Sequence, residues 1–158
     1  ERFSKIGSNP KLKTMNIYDL ISESLNYMKS RLPNNSKIGL TLKGNRDINI
    51  QGDWTLLRWA FENVLINSID AIGIGKGKIS IDIVYEKKYL SIQILDSGKG
   101  IPRRDWKNIF RPGFSSKIRG WGLGLSLTKR IINEIHRGEI KVLRSKPIET
   151  VFQIILPI

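Results

Sequence analysis

Apolar residues recur every three or four positions in three long segments of the chain, which is the spacing of one face of an α-helix. The first segment ends at Leu32, and Pro33 follows it directly. The second segment begins at Asp53, a residue type preferred at a helix N-cap, and a glycine cluster follows its last residue, Ile72. The spacing predicts three helices, at residues 16–32, 53–72 and 124–135.

Six further segments alternate between apolar and polar residues, which is the period of a β-strand. In three of them one face is consistently apolar, as with Ile79, Ile81 and Ile83. Helices should therefore cover one side of the sheet and leave the other side mostly exposed to water. Gly44 and Asn45 predict a turn between the first two strands. The predicted strands are residues 37–45, 47–53, 78–86, 89–96, 138–145 and 150–158.

Strand pairs of the hairpin type are interspersed with the helices, which favours an α+β fold over strict strand-helix alternation. We predict a two-layer α/β sandwich, in which a mixed, mostly antiparallel sheet is covered on one face by about three helices. The length of 158 residues fits one domain. Residues 1–15 are polar and basic, and we interpret them as a linker from a longer protein, with the domain at residues 16–158.

The composition excludes several kinds of site. The chain has no cysteine, which excludes disulfides, thiol catalysis and thiolate metal sites. It has one histidine, His136, which excludes a multi-histidine metal site. We expect His136 to be a surface residue or a helix C-cap. The longest apolar run, residues 151–158, is far shorter than the ~18 residues of a membrane span. We therefore expect a cytoplasmic domain that contacts membrane only through segments outside this sequence.

The charge is strongly positive, because 27 lysines and arginines face 14 aspartates and glutamates, for a formal net charge of +13. Such a surface is either simply solvated or attracts a polyanionic small ligand, an acidic protein or nucleic acid. The basic residues are scattered, with no run of five or more. A basic nucleic-acid-binding tail is therefore not supported, and we expect no nucleic-acid partner.

A polar stripe interrupts the second predicted helix. Asn63, Asn67 and Asp70 are spaced i, i+4 and i+7, which places them on one side of that helix. Two interpretations are equally supported by this spacing: the stripe is merely exposed to solvent, or something covers it. The second is favoured by helix propensity, because Asn and Asp are each about 0.6 kcal/mol worse than Ala inside a helix.

A carboxylate lies on the apolar face of a predicted strand. Counting by twos from Leu90 through Ile94 reaches Asp96, which therefore points inward, where a charge needs a partner. Gly98 and Gly100 follow and allow the chain to turn sharply. Such a turn would by itself account for both glycines. Together with Asp96 they predict the floor of a site for a flat polar ligand. A buried carboxylate can accept a hydrogen bond from an exocyclic amine such as that of adenine.

Alternate glycines precede the third predicted helix. Gly120, Gly122 and Gly124 stand directly before an apolar helical face. Free N–H groups at a helix start bind anions, and glycines keep them accessible, so these glycines are typical of an anion site. The alternative is that they form only a flexible connector. The segment lacks the Gly-Lys-Ser/Thr ending of a Walker A loop.

Taken in order, four segments resemble the sequence boxes of the ATP-binding catalytic domain of sensor histidine kinases, within the gyrase, Hsp90, histidine kinase and MutL ATPase superfamily. ENVLINSIDAI resembles the N box, LDSGKGIP the first glycine box, IFRPGFSSK the F box and GWGLGLSL the second glycine box. The resemblance covers residues 15–158. It implies the Bergerat-type ATP-binding fold.

The resemblance implies a site for ATP and Mg²⁺. Asp96 would bind the adenine amino group, and Thr150 would help to bind adenine. Asn67 would coordinate the Mg²⁺ that bridges the phosphates, with Asn63 in a supporting role, and Lys117 would contact a phosphate. The implied nucleotide-binding residues are Asn63, Asn67, Asp70, Asp96, Gly98, Gly100, Ile101, Lys117, Gly120, Gly122, Gly124, Leu125 and Thr150.

The catalytic group is left open by the resemblance. Superfamily members that hydrolyse ATP carry a glutamate one turn before the metal-binding asparagine, where this chain has Asn63. The neighbouring Glu62 lies about 100° round the helix from that position. Glu62 is kept as a candidate catalytic residue, and we expect poor intrinsic hydrolysis.

The implied activity is that of a kinase domain that donates the γ-phosphoryl group of ATP to a histidine on a separate upstream domain. From there the group would pass to the receiver domain of a response regulator. Three alternatives stay open at this point. They are a hydrolytic ATPase of the same superfamily, a non-enzymatic nucleotide sensor and, on net charge alone, a nucleic-acid module.

Overall fold

Seven β-strands and three α-helices make up the part of the chain that the computed structural model describes, residues 9–114 and 124–158. Two 3₁₀ turns, Arg103–Asp105 and Asn108–Phe110, lie in the connection after the fifth strand. The strands are β1 (Lys13–Asn16), β2 (Lys37–Gly44), β3 (Asn49–Gly52), β4 (Lys76–Tyr85), β5 (Tyr89–Asp96), β6 (Glu139–Lys146) and β7 (Glu149–Pro157). The helices are α1 (Ile17–Arg31), α2 (Trp54–Ile72) and α3 (Gly124–Arg130), which continues as a π-helical turn, Ile131–Ile135.

Local capping explains where the helices begin. The side chain of Asn16 accepts a hydrogen bond from the N–H of Asp19 at the start of α1, at 3.0 Å. Asp53 accepts one from the N–H of Leu56 at the start of α2, also at 3.0 Å. Each cap satisfies an N–H that has no partner within the helix. The three predicted helices, including the Asp53 cap, are confirmed.

The main sheet has five strands in the order β2-β4-β5-β7-β6. β2 runs parallel to β4, and the other three neighbouring pairs are antiparallel. β1 and β3 form a separate antiparallel pair. The prediction of an α+β fold with a mixed, mostly antiparallel sheet is confirmed.

The two strands predicted on either side of the Gly44–Asn45 turn do form, but they do not pair with each other. β2 pairs with β4, which places Leu40 opposite Ile79, whereas β3 pairs with β1, which places Ile50 opposite Met15. Each strand thus joins a partner whose apolar residues lie in register with its own. Residues 13–15, within the segment interpreted as a linker, belong to β1.

The core lies between the helices and one face of the main sheet. Phe61 of α2, Ile81 of β4, Ile92 of β5 and Phe152 of β7 are all fully buried there. Burying each side chain of this size contributes about 1.5–3 kcal/mol relative to leaving it exposed. The opposite face of the sheet carries the exposed Asp82. The predicted two-layer arrangement is confirmed.

His136 is buried, with 4% of its surface exposed, so its prediction as a surface residue was wrong. Its Nε2 accepts the N–H of Asp53 at 3.0 Å, and its Nδ1–H donates to the carbonyl of Ile131 at 2.8 Å. His136 is the C-cap of the π-helical turn, because its backbone N–H also donates to the Ile131 carbonyl at 3.2 Å, as the alternative prediction had it. Burial lowers the pKa of His136, and its contact with the Ile131 carbonyl opposes that shift.

Candidate functional site

A cavity of about 750 Å³ lies beside the C-terminal half of α2, and its size is within the range of small-molecule sites. Four parts of the fold meet there: α2, the segment that follows β5, the start of α3, and the hairpin between β6 and β7. Among its lining residues are Asn67, Asp70, Gly100, Ile101, Leu125 and Ser145. Five of these six were predicted site residues, and Ser145 was not. The predicted residues Asp96 and Thr150 lie outside this lining.

Asp96 is the last residue of β5 and is 1% exposed. Its Oδ1 accepts the N–H of Gly98 at 2.9 Å. Burial raises the pKa of the Asp96 carboxyl, while the Gly98 N–H and the nearby Ser68 hydroxyl oppose that rise. Within residues 9–114 and 124–158 the buried Ser68 hydroxyl makes no well-formed hydrogen bond, so the Gly98 contact is the stronger of the two. The inward carboxylate predicted from strand alternation is therefore present.

The loop after Asp96 packs against the end of α2. The N–H of Lys99 donates to the carbonyl of Ala71 at 3.1 Å. A Cβ at Gly98 would lie 2.7 Å from the carbonyl carbon of Ala71, so a side chain does not fit there without movement. Gly100 has a φ of +88°, which residues other than glycine rarely adopt. Both glycines thus allow the close approach of loop and helix that forms one wall of the cavity.

Thr150 lies next to Asp96 across the β5–β7 ladder and is 3% exposed. Both residues point toward the helix-covered face of the sheet. The Thr150 hydroxyl is hydrogen-bonded to the Ser145 hydroxyl at 2.7 Å, and Ser145 also accepts the N–H of Ile101 at 2.8 Å. A continuous set of contacts therefore joins the glycine loop to the residue beside Asp96.

The polar stripe of α2 is partly covered by other parts of the protein, because Asn63 and Asn67 are half-buried whereas Asp70 is exposed. Asn67 and Asp70 line the cavity. Asn63 lies one turn earlier, and its Nδ2 donates to the carbonyl of Gly124 at 3.2 Å. Gly124 begins α3 and also accepts the Thr128 hydroxyl at 2.8 Å. Asn63 therefore connects the N box to the second glycine box.

Glu62 is 4% exposed and lies outside the lining of this cavity. Its Oε1 accepts the Nε–H of Arg58 at 2.9 Å, and Arg58 also pairs with Glu23 at 2.7 Å. Glu62 instead borders a smaller hollow of about 300 Å³ beside Tyr27 and Trp59. Its catalytic role stays a prediction.

Basic side chains that the sequence reasoning did not select also line the cavity: Lys99, Arg103 and Lys146. The Arg103 guanidinium stacks over the Trp106 ring, 4.1 Å from its centroid, and the indole N–H donates to the Ile101 carbonyl at 3.0 Å. Asp70 and Asp105 lie in the same lining and Lys146 pairs with Glu149 at 3.4 Å, so the positive charge that suits an anionic ligand comes mainly from Lys99 and Arg103. The predicted residues Lys117, Gly120 and Gly122 lie outside the described residues.

A family model for the histidine kinase-, DNA gyrase B- and HSP90-like ATPases matches residues 52–158. The sensor histidine kinase ZraS of Salmonella typhimurium is 36% identical over 149 residues, which are 93% of this chain and 31% of ZraS. The nucleotide-free catalytic domain of the histidine kinase ThkA matches with a TM-score of 0.85 and 28% identity over 94% of this chain and 96% of that one. ThkA in complex with the response regulator protein TrrA matches at 0.80 and 25% identity, over 92% of this chain and 41% of that one.

The chain spans less than a third of the length of the curated relatives it matches. In residues 9–114 and 124–158, no helix combines the length and the apolar character that crossing a membrane requires.

Proposed function

This chain belongs to the histidine kinase-, DNA gyrase B- and HSP90-like ATPases, and we propose that it binds ATP with Mg²⁺ and donates the γ-phosphoryl group to a histidine on a separate domain. The observation that carries the proposal is the buried Asp96 carboxylate at the end of β5, beside Thr150 and the glycine loop. Burying a carboxylate away from water costs free energy, and a hydrogen bond donated by a bound ligand offsets that cost.

Adenine is the base that this arrangement favours. The 6-amino group of adenine donates hydrogen bonds, whereas guanine has a carbonyl at the same position, which would face the Asp96 carboxylate as a second acceptor. Thr150 supplies a hydroxyl next to that carboxylate. We expect the site to select ATP over GTP for this reason.

The chemistry of Asn67 fits a Mg²⁺ ion. Its side chain lines the cavity, and its amide has no hydrogen-bond partner among residues 9–114 and 124–158. Mg²⁺ prefers oxygen ligands and keeps several waters, so one amide oxygen together with substrate phosphates forms a typical site. When bound, the ion would neutralise phosphate charge as the phosphoryl group transfers.

The phosphates would extend from Asn67 toward the start of α3. Gly124 and Leu125 lie there, and Lys99, Arg103 and Lys146 add positive charge around the cavity. Lys117, Gly120 and Gly122 are proposed to complete this part of the site. Positioning and charge neutralisation of this kind account for most of what phosphoryl transfer requires from a protein.

The acceptor histidine is proposed to lie outside this chain. His136 is unsuited to the role because it is buried and both ring nitrogens are engaged by backbone groups. We propose that the residues before β1, which begins at Lys13, link this domain to an upstream phosphoacceptor domain. We also propose a response-regulator receiver domain as the next acceptor and a cytoplasmic location for the domain. A partner of that kind is supported by the complex of ThkA with its response regulator.

Efficient ATP hydrolysis is the less favoured activity. It would need a general base beside the cavity, and Glu62 is instead buried in an ion pair with Arg58 outside the cavity lining. A nucleotide sensor without transfer activity would bind ATP equally well, so phosphoryl transfer has to be measured to separate the two.

The proposed site is tested by titrating the 158-residue chain with a fluorescent ATP analogue, with Mg²⁺ and in EDTA. Unlabelled ATP and GTP serve as competitors. We expect displacement by ATP but not by GTP, with tighter binding when Mg²⁺ is present. An absence of binding under both conditions would overturn the proposal and would make the basic surface the better indication of function.

A further inference from the structure

The hairpin between β6 and β7 contacts the glycine loop after β5 at several points. The N–H of Ile101 donates to the Ser145 hydroxyl at 2.8 Å, and the N–H of Ile148 donates to the carbonyl of Gly98 at 2.9 Å. A Cβ at Gly100 would lie 3.1 Å from the Lys146 carbonyl, so loop and hairpin backbones are in close contact there. The loop that carries the adenine-binding region is therefore held by the hairpin.

Backbone strain at the tip of the β6–β7 hairpin supports the view that the hairpin holds the glycine loop in place. Ile148 has a φ of +66°, which is rare for a β-branched residue, and its side chain is 75% exposed. Residues remain in such conformations where the surrounding structure imposes them, and they are concentrated at functional sites. The hydrogen bond from Ile148 to Gly98 is one such constraint.

Ser145 supplies the side-chain part of this contact, and its hydroxyl has two partners. It accepts the Ile101 N–H and is also hydrogen-bonded to the Thr150 hydroxyl at 2.7 Å. Ser145 and Thr150 are register partners in the β6–β7 ladder, and Thr150 is the register partner of Asp96 in the β5–β7 ladder. One serine hydroxyl therefore connects the glycine loop to the threonine beside the buried carboxylate.

We infer that Ser145 is a positioning residue for adenine recognition, which fixes the Thr150 hydroxyl and the Ile101 peptide relative to Asp96. The inference rests on the proposed binding of ATP. A threonine hydroxyl without this partner would rotate among its staggered positions, and the Ile101 N–H would lose its acceptor. Holding both before the ligand arrives removes an ordering cost from binding.

The backbone pairing of β6 with β7 does not depend on the Ser145 hydroxyl. The β6–β7 ladder is formed by backbone pairs from Glu139↔Ile155 to Lys146↔Glu149. Removing one hydroxyl at the cavity wall leaves that ladder in place. A loss of adenine discrimination in a folded variant would therefore report positioning rather than unfolding.

The experiment compares Ser145→Ala and Ser145→Thr in the 158-residue chain. A fluorescent ATP analogue is displaced by ATP or by inosine triphosphate, which has a carbonyl in place of the 6-amino group. We expect Ser145→Ala to weaken ATP binding about tenfold, the effect of losing about one hydrogen bond, and to change binding of inosine triphosphate much less. Ser145→Thr keeps the hydroxyl and should restore the preference for ATP.

The matched control is Ser91→Ala. Ser91 is 4% exposed on the other face of the same sheet, and its hydroxyl accepts Nε2–H of Gln153 at 3.0 Å. This control should leave both affinities unchanged. Thermal unfolding of each variant without nucleotide confirms that it is folded.

A double-mutant cycle with Thr150→Val tests the connection itself. If Ser145 acts through Thr150, the effect of Thr150→Val on ATP affinity should be largely lost once Ser145 is alanine. Additive effects would overturn the inference. An unchanged ATP affinity in Ser145→Ala, or equal losses for the two nucleotides, would also overturn the inference. In each of these cases, binding of ATP by the wild-type chain would still support the proposed function. If the wild-type chain binds no ATP, the proposed function fails and this inference fails with it.

Discussion

Replacing Asp96 with asparagine exchanges one carboxylate oxygen for an amide NH₂ group with almost no change in volume. The N–H of Gly98 donates to Oδ1 of Asp96 at 2.9 Å. An asparagine keeps that contact only if its own oxygen faces Gly98, because an NH₂ group cannot accept the hydrogen bond. The NH₂ group then takes the position of the second carboxylate oxygen and faces the adenine amino group as another donor.

The expected loss follows from this geometry. A hydrogen bond to a charged group contributes about 1.5–3 kcal/mol. Because each 1.4 kcal/mol corresponds to a factor of ten, Asp96→Asn should weaken ATP binding by about 10- to 150-fold. Inosine triphosphate presents a carbonyl that can accept from the new NH₂ group, so its affinity should rise relative to that of ATP.

The same substitution should not destabilise the chain without nucleotide. Burial raises the pKa of Asp96 above its ordinary value of 3.8, so at pH values just above 3.8 the folded chain binds more protons than the unfolded chain. Stability from this group is therefore present at lower pH and is lost as the pH rises through the folded-state pKa. Asparagine does not ionise, so we expect the variant to be at least as stable as the wild type at neutral pH.

Displacement of a fluorescent ATP analogue by ATP and by inosine triphosphate measures the change, and thermal unfolding without nucleotide checks the fold. Asp82→Asn is the matched control, because Asp82 is exposed on the opposite face of the sheet. An ATP affinity equal to that of the wild type would refute the reasoning. Equal losses for the two nucleotides would refute it as well.

Three further substitutions test the metal ligand, the buried histidine and the packing of the glycine loop. Asn67→Ala should weaken ATP binding about tenfold in Mg²⁺ and leave binding in EDTA unchanged, as titrations in the two buffers would show. Burial lowers the pKa of His136 below the ordinary histidine value of 6.5. As the pH falls below 6.5, the unfolded chain therefore binds more protons than the folded chain, and the folded state loses stability. His136→Gln should flatten this fall in the free energy of unfolding, measured in urea from about pH 7.5 to about pH 5. Gly98→Ala should lower the free energy of unfolding by about 1–3 kcal/mol in the same assay, because its Cβ would lie 2.7 Å from the carbonyl carbon of Ala71.

A specific result would contradict each of these three predictions. An equal loss of ATP affinity in EDTA would count against Asn67 as the metal ligand. A wild-type pH dependence in His136→Gln would assign the acid sensitivity to another group. Gly39→Ala is the control for Gly98→Ala, since no atom of the described residues lies within 4 Å of a Cβ at Gly39. Equal destabilisation by the two alanines would contradict the packing argument.

The elements predicted correctly are those whose signals are local. Asp53 caps α2 through a hydrogen bond to a residue three positions later. The alternation that ends at Asp96 depends on neighbours two positions apart, and the structure confirms the inward carboxylate. Capping and alternation involve few residues, so a single sequence carries them.

Contacts between distant segments could not be predicted in the same way. His136 is buried because it meets the backbone N–H of Asp53, which is 83 residues away in the chain. Ser145 accepts a hydrogen bond from Ile101, which is 44 residues away. The pairing of β2 with β4 likewise depends on strand order, which short-range patterns do not contain.

The candidate site contains residues of both kinds: some were predicted from local spacing, and others are brought to the cavity only by the fold. The spacing of Asn67 and Asp70 left open whether they faced solvent or a site, and the structure places both at the cavity. Lys99, Arg103 and Lys146 appeared in the sequence only as scattered charge, because no periodic pattern relates them. The loop and the hairpin that bring them to the cavity are set by the fold.

Transfer of the γ-phosphoryl group to histidine is the most direct test of the central claim. The chain would be incubated with Mg²⁺ and ATP labelled in that group, together with the separately prepared domain that we propose as the phosphoacceptor. We predict an alkali-stable, acid-labile label on a histidine of that domain, and no label with Asp96→Asn or in EDTA. Binding of ATP without any labelled histidine, or release of the label as phosphate when no acceptor is present, would contradict the account.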